Sequence, residues 1–321
     1  MTLAECGKKV DEALNEFLET LPHHSLNEPI RYVMGMGGKR MRPALALMSC
    51  SLFSDDVTLC VKPALGIELF HNFTLLHDDV MDNAPVRRNK PTVHKKWNTS
   101  AAILSGDAML IHAYDLMCSV PHTYLPELLR LFNSAALAVC NGQQLDMDFE
   151  KRTDVNEWEY INMISQKTSV LLGAALQTGA LLGGAGHADQ QHLYELGVDM
   201  GIAFQLMDDY LDAFGDENLV GKKRGGDIRS GKKTYLLICA MEKATGDDKA
   251  QLMQLMNEEN PETKVTGVIN LFEKLHVRSN AENKMNEYNN LALQHLEKVN
   301  VSSSKKESLR LLAEELLVRQ H

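Results

Sequence analysis

The sequence offers little that could cross a membrane. Its one long uncharged run, Thr168 to Gly186, contains Gln177 and five glycines, whereas a membrane-spanning helix needs about 20 predominantly apolar residues. We interpret this run as a buried helix whose glycines allow neighbouring segments to approach closely. The protein is therefore expected not to span a membrane.

Paired cysteines, excess positive charge and strand-like patterns are also absent. The six cysteines are scattered and form no Cys-x-x-Cys pair, which favours reduced thiols and a cytoplasmic protein. The net charge of −10 argues against a nucleic-acid partner. No segment alternates apolar and polar residues as a half-buried strand does.

Proline is missing from Glu127 to Asn260, a stretch rich in Ala, Leu, Met, Gln and Glu, which are good helix formers. The sequence therefore predicts an all-α fold, and we expect one domain over residues 1–321. Helices are predicted at about Thr2–Leu21, Ala44–Leu52 and Lys62–Met81, and the tail from Asp247 is predicted to be helical.

Two similar acidic clusters stand out against this helical background. Each has the order Asp-Asp-x-x-Asp with apolar flanks, at residues 78–82 and 208–212. Residues four apart lie on the same face of a helix, so Asp78 stacks with Asp82, and Asp208 with Asp212. Such oxygen ligands suit Mg²⁺, which also binds substrate phosphates. A solvated helix end would explain one cluster but not two, and we expect the fold to bring both together.

Three segments combine glycine or proline with positive charge. They are the Gly-rich entry to a helix at residues 35–43, the basic loop at residues 85–94, and the loop at residues 214–234. A helix entry of this kind is suited to anions, because its free N–H groups and the helix dipole favour phosphate. The two later segments directly follow the two acidic clusters. A cation beside a carboxylate cluster is typical of diphosphate sites.

These motifs resemble, in their order, those of head-to-tail trans-polyprenyl diphosphate synthases. The resemblance runs from the Gly-Gly-Lys-Arg-Met-Arg-Pro motif at residues 37–43 to the Gly-Lys-Lys-Thr motif at residues 231–234. Between these lie His77-Asp78-Asp79 with Arg87-Arg88, Gly106-Asp107-Ala108, Gly142-Gln143, Lys167-Thr168 and the Phe204–Asp209 motif. It implies an all-α bundle around a deep central cavity, a homodimer, and three Mg²⁺ ions.

The resemblance also implies a role for individual residues. Asp78 and Asp82 would hold two metals and Asp208 the third. The allylic diphosphate would be bound by Arg87, Lys167, Lys222 and Lys232, and isopentenyl diphosphate by Lys39, Arg42, His71 and Arg88. Thr168 and Gln205 would line the allylic carbocation. Leu236 and Asn83 depart from the family pattern, which often has proline and an acid at these positions.

Product length is expected to depend on the residues just before Asp78. Helical geometry alone leaves Phe70, Phe73 and Thr74 as candidates for the cavity floor, whereas the resemblance implies Phe73, with Thr74 as the small neighbour. A large ring at this position argues against very long products. We expect geranylgeranyl diphosphate, with farnesyl diphosphate as the alternative.

Other classes of protein explain fewer of these motifs. Two Glu-x-x-His pairs, Glu68 with His71 and Glu273 with His276, have the spacing of di-iron bundles, but that class leaves both acidic clusters unexplained. His77-Asp78 alone could belong to a metal phosphohydrolase, but no further set of histidines accompanies it. A terpene cyclase would normally lack the second intact cluster, and a non-catalytic subunit would have lost motifs.

Overall fold

The computed structural model describes residues 1–216 and 224–318. Over these ranges the regular secondary structure is helical apart from one short hairpin, which confirms the all-α prediction. The helices form two compact units, and the expectation of a single domain stays a prediction. Among the described residues, none of the helices combines the length and apolarity that a membrane crossing requires.

The first unit comprises residues 1–133, 174–193 and 300–308. Its helices include α1 (Leu3–Thr20), α2 (Glu28–Met34), α3 (Met41–Phe53), α4 (Thr58–Met81), α5 (Val93–Lys96) and α6 (Thr99–Met117), and its hairpin consists of β1 (Val86–Arg87) and β2 (Lys90–Pro91).

Helix α4 is the central element of the first unit and packs on α1, α3 and α6. It buries Ile67, Leu69 and Phe70 almost completely. Its apolar residues lie all around the helix, as expected of a helix enclosed by neighbours. The first acidic cluster is thereby fixed at the end of a helix of which half the residues are buried.

The second unit comprises residues 134–173, 194–299 and 309–321, of which the structure describes the residues given above. Helices α7 (Leu125–Glu150), α9 (Val170–Leu182), α10 (His187–Phe214) and α16 (Ser303–Val318) each contribute to both units. The other helices of the second unit are α8 (Glu157–Ile164), α11 (Gly226–Ser230), α12 (Tyr235–Lys243), α13 (Gly246–Met256), α14 (Pro261–Lys274) and α15 (Val277–Lys298).

The core of the second unit forms around α12, α14 and α15. Tyr160, Val268, Phe272 and Val277 are buried there. The last turns of α10, which carry the second acidic cluster, contribute Leu206 and Met207 to the same core. Each acidic cluster is thus held by apolar packing of its own helix.

Helix boundaries differ from the predicted ones at several places. Helix α3 begins at Met41 rather than near Ala44, and α4 begins at Thr58 rather than near Lys62. Pro63 therefore lies inside α4, where it forfeits one helical hydrogen bond. The sequence did not predict α2, α5 or the hairpin, and α11 lies within the segment predicted to be a loop.

Gly179 and Gly183 of the uncharged run allow the close approach that was predicted. A Cβ atom on Gly179 would lie 1.9 Å from the carbonyl oxygen of Ala46, and one on Gly183 would lie 2.7 Å from that of Cys50. Real Cβ atoms do not approach backbone so closely, so only glycine allows α9 to touch α3 here. The regular helix covers Val170–Leu182 rather than Thr168–Gly186.

Candidate active site

The first acidic cluster lies at the C-terminal end of α4. Asp82 caps the helix, and its backbone N–H donates to the carbonyl of Asp78 (2.9 Å), so the two carboxylates are one turn apart. Asp79 is buried and accepts a hydrogen bond from Nε of Arg87 (2.8 Å). Burial raises the pKa of Asp79 and the Arg87 guanidinium opposes that effect. Asp79 thus holds Arg87, while Asp78 and Asp82 are more exposed.

The second acidic cluster has the same division between its aspartates. Asp209 is buried; it accepts hydrogen bonds from the hydroxyl of Tyr160 and from the backbone N–H of Tyr235 (3.1 Å). Burial raises the pKa of Asp209 to about 7. Asp208, by contrast, is exposed.

The third aspartate of that cluster fixes the chain that returns to it. Asp212 accepts hydrogen bonds from the backbone N–H groups of Gly226 (3.1 Å) and Asp227 (3.0 Å). These groups belong to the first turn of α11, where a carboxylate is favourable. Asp212 therefore positions the basic segment that follows the cluster.

The Gly-rich segment before α3 brings together three of the predicted substrate residues. Nη1 of Arg42 donates to Nε2 of His71 (3.1 Å), and Nη1 of Arg88 donates to the carbonyl of Gly37. A Cβ atom on Gly38 would lie 2.9 Å from the Arg88 guanidinium, so glycine there makes room for the arginine. Two arginines and a histidine from three separate segments thus converge on this loop.

The electrostatics of this group make His71 a neutral acceptor. Burial, together with the charges of Arg42 and Arg88, lowers the pKa of His71 well below its usual value. Burial also lowers the pKa of Arg42 to about 10, so the guanidinium stays charged at neutral pH. Because arginine can only donate, Nε2 of His71 accepts and the ring proton is on Nδ1.

A buried ion pair that the sequence analysis missed lies behind this group. Arg40 has a left-handed backbone conformation (φ 47°), and its Nη1 donates to Oε1 of Glu68 (2.8 Å) while Nη2 donates to the carbonyl of Met34 (2.6 Å). Nδ2 of Asn72 donates to the same Glu68 oxygen (3.0 Å). The sequence analysis named Glu68 only as part of a Glu-x-x-His pair, and nothing in the sequence joined it to Arg40, 28 residues away.

Lys167 and Thr168 lie in a π-helical turn, Ser165–Ser169, between α8 and α9. Nζ of Lys167 is ion-paired with Asp146, and Oγ1 of Thr168 lies 3.4 Å from Oε1 of Gln205. A Cβ atom on Gly142 would lie 2.2 Å from the backbone nitrogen of Lys167, so the turn can approach α7 only because residue 142 is glycine. Thr168 and Gln205, both predicted to line the carbocation, are thus brought together.

Of the three candidates for the cavity floor, Phe70 is buried in the core and its ring packs on that of Phe132, with centroids 5.3 Å apart. Phe73 is only partly buried, and the hydroxyl of Thr74 is bonded to the carbonyl of His71 (2.8 Å). Phe73 is therefore the large ring of this stretch that remains partly accessible.

The remaining predicted residues differ in their exposure. Lys39 and Lys232 are exposed. Lys222 lies outside the described residues. Asn83 adopts a left-handed conformation (φ 51°) and accepts a hydrogen bond from Lys95 (2.7 Å); asparagine tolerates this conformation better than most residues. Leu236 is buried in α12.

The donor atoms of the clusters suit Mg²⁺ ions that would be shared with a substrate. Over the described residues, no group of three or more His, Cys, Asp or Glu side chains is gathered to hold a metal. Mg²⁺ needs only one or two carboxylates when substrate phosphates and waters complete its shell. Asp78, Asp82 and Asp208 fit that arrangement, and Oδ2 of Asp78 also lies 3.8 Å from Nη2 of Arg87. The buried Asp79 and Asp209 accept hydrogen bonds from protein groups.

The two Glu-x-x-His pairs are not arranged as iron ligands. Glu68 is paired with Arg40 and His71 with Arg42. Glu273 is paired with Arg278 (3.1 Å), and His276 precedes α15 in a left-handed conformation. Arginine partners repel a metal cation, so the di-iron alternative is wrong for these pairs.

Comparisons with known proteins identify the family of the chain. A family model described as polyprenyl synthetase matches residues 23–272. A short chain isoprenyl diphosphate synthase from Methanothermobacter thermautotrophicus is 34% identical over 99% of this chain and 98% of its own. A geranylgeranyl diphosphate synthase from Methanosarcina mazei is 41% identical over 73% of each chain.

Solved structures of similar proteins indicate the same family. The crystal structure of a geranylgeranyl pyrophosphate synthase is 40% identical and superposes with a TM-score of 0.95 over 100% of both chains. That of a geranylgeranyl pyrophosphate synthetase from Pyrococcus horikoshii is 33% identical, with a TM-score of 0.92 over 99% of this chain and 97% of its own. The chain therefore belongs to the polyprenyl synthetase family and is a prenyltransferase that elongates isoprenoid chains.

Proposed function

We propose that this enzyme condenses isopentenyl diphosphate with an allylic diphosphate and that its main product is geranylgeranyl diphosphate. The observation that carries the proposal is the convergence of Arg42, His71 and Arg88 next to a Gly-rich helix entry. Nε of Arg42 is buried and has no hydrogen-bond partner among the described residues. A buried N–H of a charged group needs an acceptor, and a substrate phosphate would supply one.

Isopentenyl diphosphate would bind at this convergence. Arg42 and Arg88 would each donate to phosphate oxygens, with His71 orienting Arg42 and Lys39 adding charge at the entry. Arginine forks suit phosphate because they donate two parallel hydrogen bonds.

The allylic diphosphate would bind between carboxylate-held metal and fixed cations. Asp78, Asp82 and Asp208 would hold three Mg²⁺ ions, which when bound would offset the negative charge that develops on the departing diphosphate. On the protein side, the cations that would face this diphosphate are Arg87, Lys167, Lys222 and Lys232.

The dipoles of Thr168 and Gln205 would stabilise the allylic cation left by ionisation. Their oxygen atoms lie close together, so they can act on one centre of positive charge. An apolar wall around this centre would be needed to keep water from capturing the cation.

Product length would be set by Phe73. It is a partly accessible ring about 7–8 Å before Asp78 along the helix, at ~1.5 Å per residue. Relatives named as geranylgeranyl diphosphate synthases support the same length. The small residue Thr74 beside it argues against the shorter farnesyl product.

We further propose a cytoplasmic homodimer. Leu104 and Ile111 of α6 are 59% and 62% exposed and lie seven residues apart, on one face of the helix. An apolar face of this kind is a candidate for burial by a second copy. Light scattering coupled to size exclusion would measure the mass, and a monomer at micromolar concentration would contradict this assignment.

The test of the activity is product analysis with isopentenyl diphosphate and each allylic primer in turn, in the presence of Mg²⁺. Mass spectrometry after phosphatase treatment should give geranylgeraniol as the main alcohol. Farnesol as the main alcohol would reject the proposed length, and no elongated product from any primer would reject the function.

The two diphosphate subsites can be separated by kinetics. Arg88→Ala should raise KM mainly for isopentenyl diphosphate, and Lys232→Ala mainly for the allylic substrate. Lys90→Ala is the matched control, because Lys90 is an exposed cation of the same hairpin as Arg88 with no proposed contact. Equal defects for both substrates in both variants would contradict the division.

A further inference from the structure

The Gly106-Asp107-Ala108 motif has no role in the site as described so far. A Cβ atom on Gly106 would lie 2.3 Å from Nε2 and 2.7 Å from Cδ2 of His77. The imidazole thus occupies the space that any side chain at residue 106 would need. Gly106 therefore leaves space on α6 for the imidazole of His77, which is carried by α4.

Polar contacts hold the imidazole of His77 against Gly106. Its Nε2 lies 3.2 Å from the carbonyl oxygen of Ile103 and 4.0 Å from Oδ1 of Asp107. A carbonyl can only accept, so Nε2 carries the proton and donates. The ring is therefore fixed against α6 by shape on one side and by a hydrogen bond at its tip.

The fixed imidazole contacts the ring of Phe73. Their centroids are 4.7 Å apart with the planes at 67°, an edge-to-face arrangement. On its other side Phe73 meets Phe70, at 5.6 Å. Phe70 is fully buried. Phe73 is thus held between two immobile rings, one turn before it and one turn after it on α4.

We propose that His77, which packs against Gly106, is a positioning residue that sets product length by fixing the ring of Phe73. The inference rests on the proposed function, in which Phe73 stops the growing chain. A phenylalanine on a helix has more than one staggered rotamer, and a stop works only if one of them is enforced. His77 does not need to touch the substrate for this purpose.

Removing the imidazole should loosen the stop. An edge-to-face aromatic contact corresponds to about 0.5–1.5 kcal/mol beyond its burial, which is roughly two- to tenfold in a ratio. In His77→Ala the ratio of the next longer product to the main product should therefore rise by roughly two- to tenfold at matched conversion. This ratio does not depend on how much of the protein is active, so a general loss of folded enzyme would not change it.

Gly106→Ala perturbs the same contact from the other helix and leaves His77 and Asp78 intact. The added methyl group would displace the imidazole, so the product ratio should shift at least about twofold, the lower limit of that contact. In the His77→Ala background the same substitution meets no ring and should have no further effect. In the Phe73→Ala background, neither substitution should lengthen the products beyond the effect of Phe73→Ala itself.

A matched control is available on α6. His112 packs edge-to-face on Phe17, with centroids 5.3 Å apart, and is distant in sequence from the proposed stop. His112→Ala should leave the product ratio unchanged. Wild-type ratios in both His77→Ala and Gly106→Ala, or additive effects of His77→Ala and Phe73→Ala, would overturn the role of His77. A wild-type protein that makes no prenyl diphosphate would instead overturn the proposed function.

Discussion

Removing Glu68 tests whether the buried ion pair supports the Gly-rich substrate loop. Arg40 and Glu68 are 6% and 3% exposed, and their side chains meet at 2.8 Å. In Glu68→Ala the buried guanidinium keeps the carbonyl of Met34 (2.6 Å) and the more exposed Asp11, 3.6 Å from Nε. An uncompensated buried charge usually costs about 3–5 kcal/mol, and these residual partners place this case near 3 kcal/mol.

The expected loss is measurable by thermal unfolding. At an unfolding entropy of roughly 2.1 cal/mol/K per residue, a chain of 321 residues shifts by about 1.5 °C per kcal/mol, so Tm should fall by about 4–5 °C in Glu68→Ala. Far-UV circular dichroism would follow the transition. Glu12→Ala is the control, because Glu12 forms an exposed pair with Lys8 at 3.9 Å, and exposed pairs contribute little.

Two further variants separate charge from packing. If the penalty comes from the unpaired guanidinium, the double variant Arg40→Met with Glu68→Leu should be more stable than Glu68→Ala, because apolar pairs of similar volume often replace buried ion pairs without loss. A Glu68→Ala protein that melts within 2 °C of wild type, or a double variant less stable than the single one, would refute the reasoning.

The same substitution should have a selective kinetic effect. Arg40 lies between Lys39 and Arg42 and fixes a left-handed turn. Losing its partner should raise KM for isopentenyl diphosphate more than KM for the allylic substrate. Equal changes in the two constants would indicate a general defect instead of a local one.

Two other predictions concern carboxylates. Asp78→Ala or Asp208→Ala should each lower turnover by roughly 10³-fold, since loss of metal-held charge stabilisation amounts to several kcal/mol; steady-state assays with turnover within tenfold of wild type for both would reject the ligand assignment. Burial, and to a smaller extent the charge of Glu195, raises the pKa of Asp199 to about 7. Because this pKa is higher in the folded than in the unfolded protein, Asp199 contributes fully to folding stability below its unfolded pKa, and this contribution is lost as pH rises through 7. The free energy of unfolding of Asp199→Asn, measured by urea titration, should therefore rise relative to that of wild type from pH 4 to pH 8. The opposite trend would mean that attraction between Asp199 and a protonated His295, 4.0 Å away, outweighs the cost of burial.

The features that could be predicted from sequence are those with a local cause. The spacing of Asp78 and Asp82 requires only a helix, and α4 supplies one up to Met81. The close approach allowed by Gly179 and Gly183 also follows from composition, although the sequence did not identify α3 as the neighbour. The predicted start of α4 was less accurate, because Pro63 is tolerated inside this helix, which begins at Thr58.

The features that sequence missed depend on partners far apart in the chain. Arg40 and Glu68 are 28 residues apart, and Tyr160 and Asp209 are 49 apart. No periodicity joins such positions, so only the folded chain shows that each pair is buried and bonded. The π-helical turn that carries Lys167 depends on Gly142 in the same way, because a close approach between helices has no signature in either segment alone.

The doubled aspartate in each cluster can be understood from these long-range contacts. Adjacent residues on a helix point about 100° apart, so the second aspartate of each pair cannot share the face of the first. In the first cluster the second aspartate faces inward to Arg87, and in the second cluster it faces Tyr160 and the backbone of Tyr235. Burying a carboxylate is tolerated only when such partners are present. One aspartate of each pair thus fixes the neighbouring segments. The other aspartate lies on the face that also carries the aspartate four residues later, and this is the face on which we propose that metal and diphosphate bind.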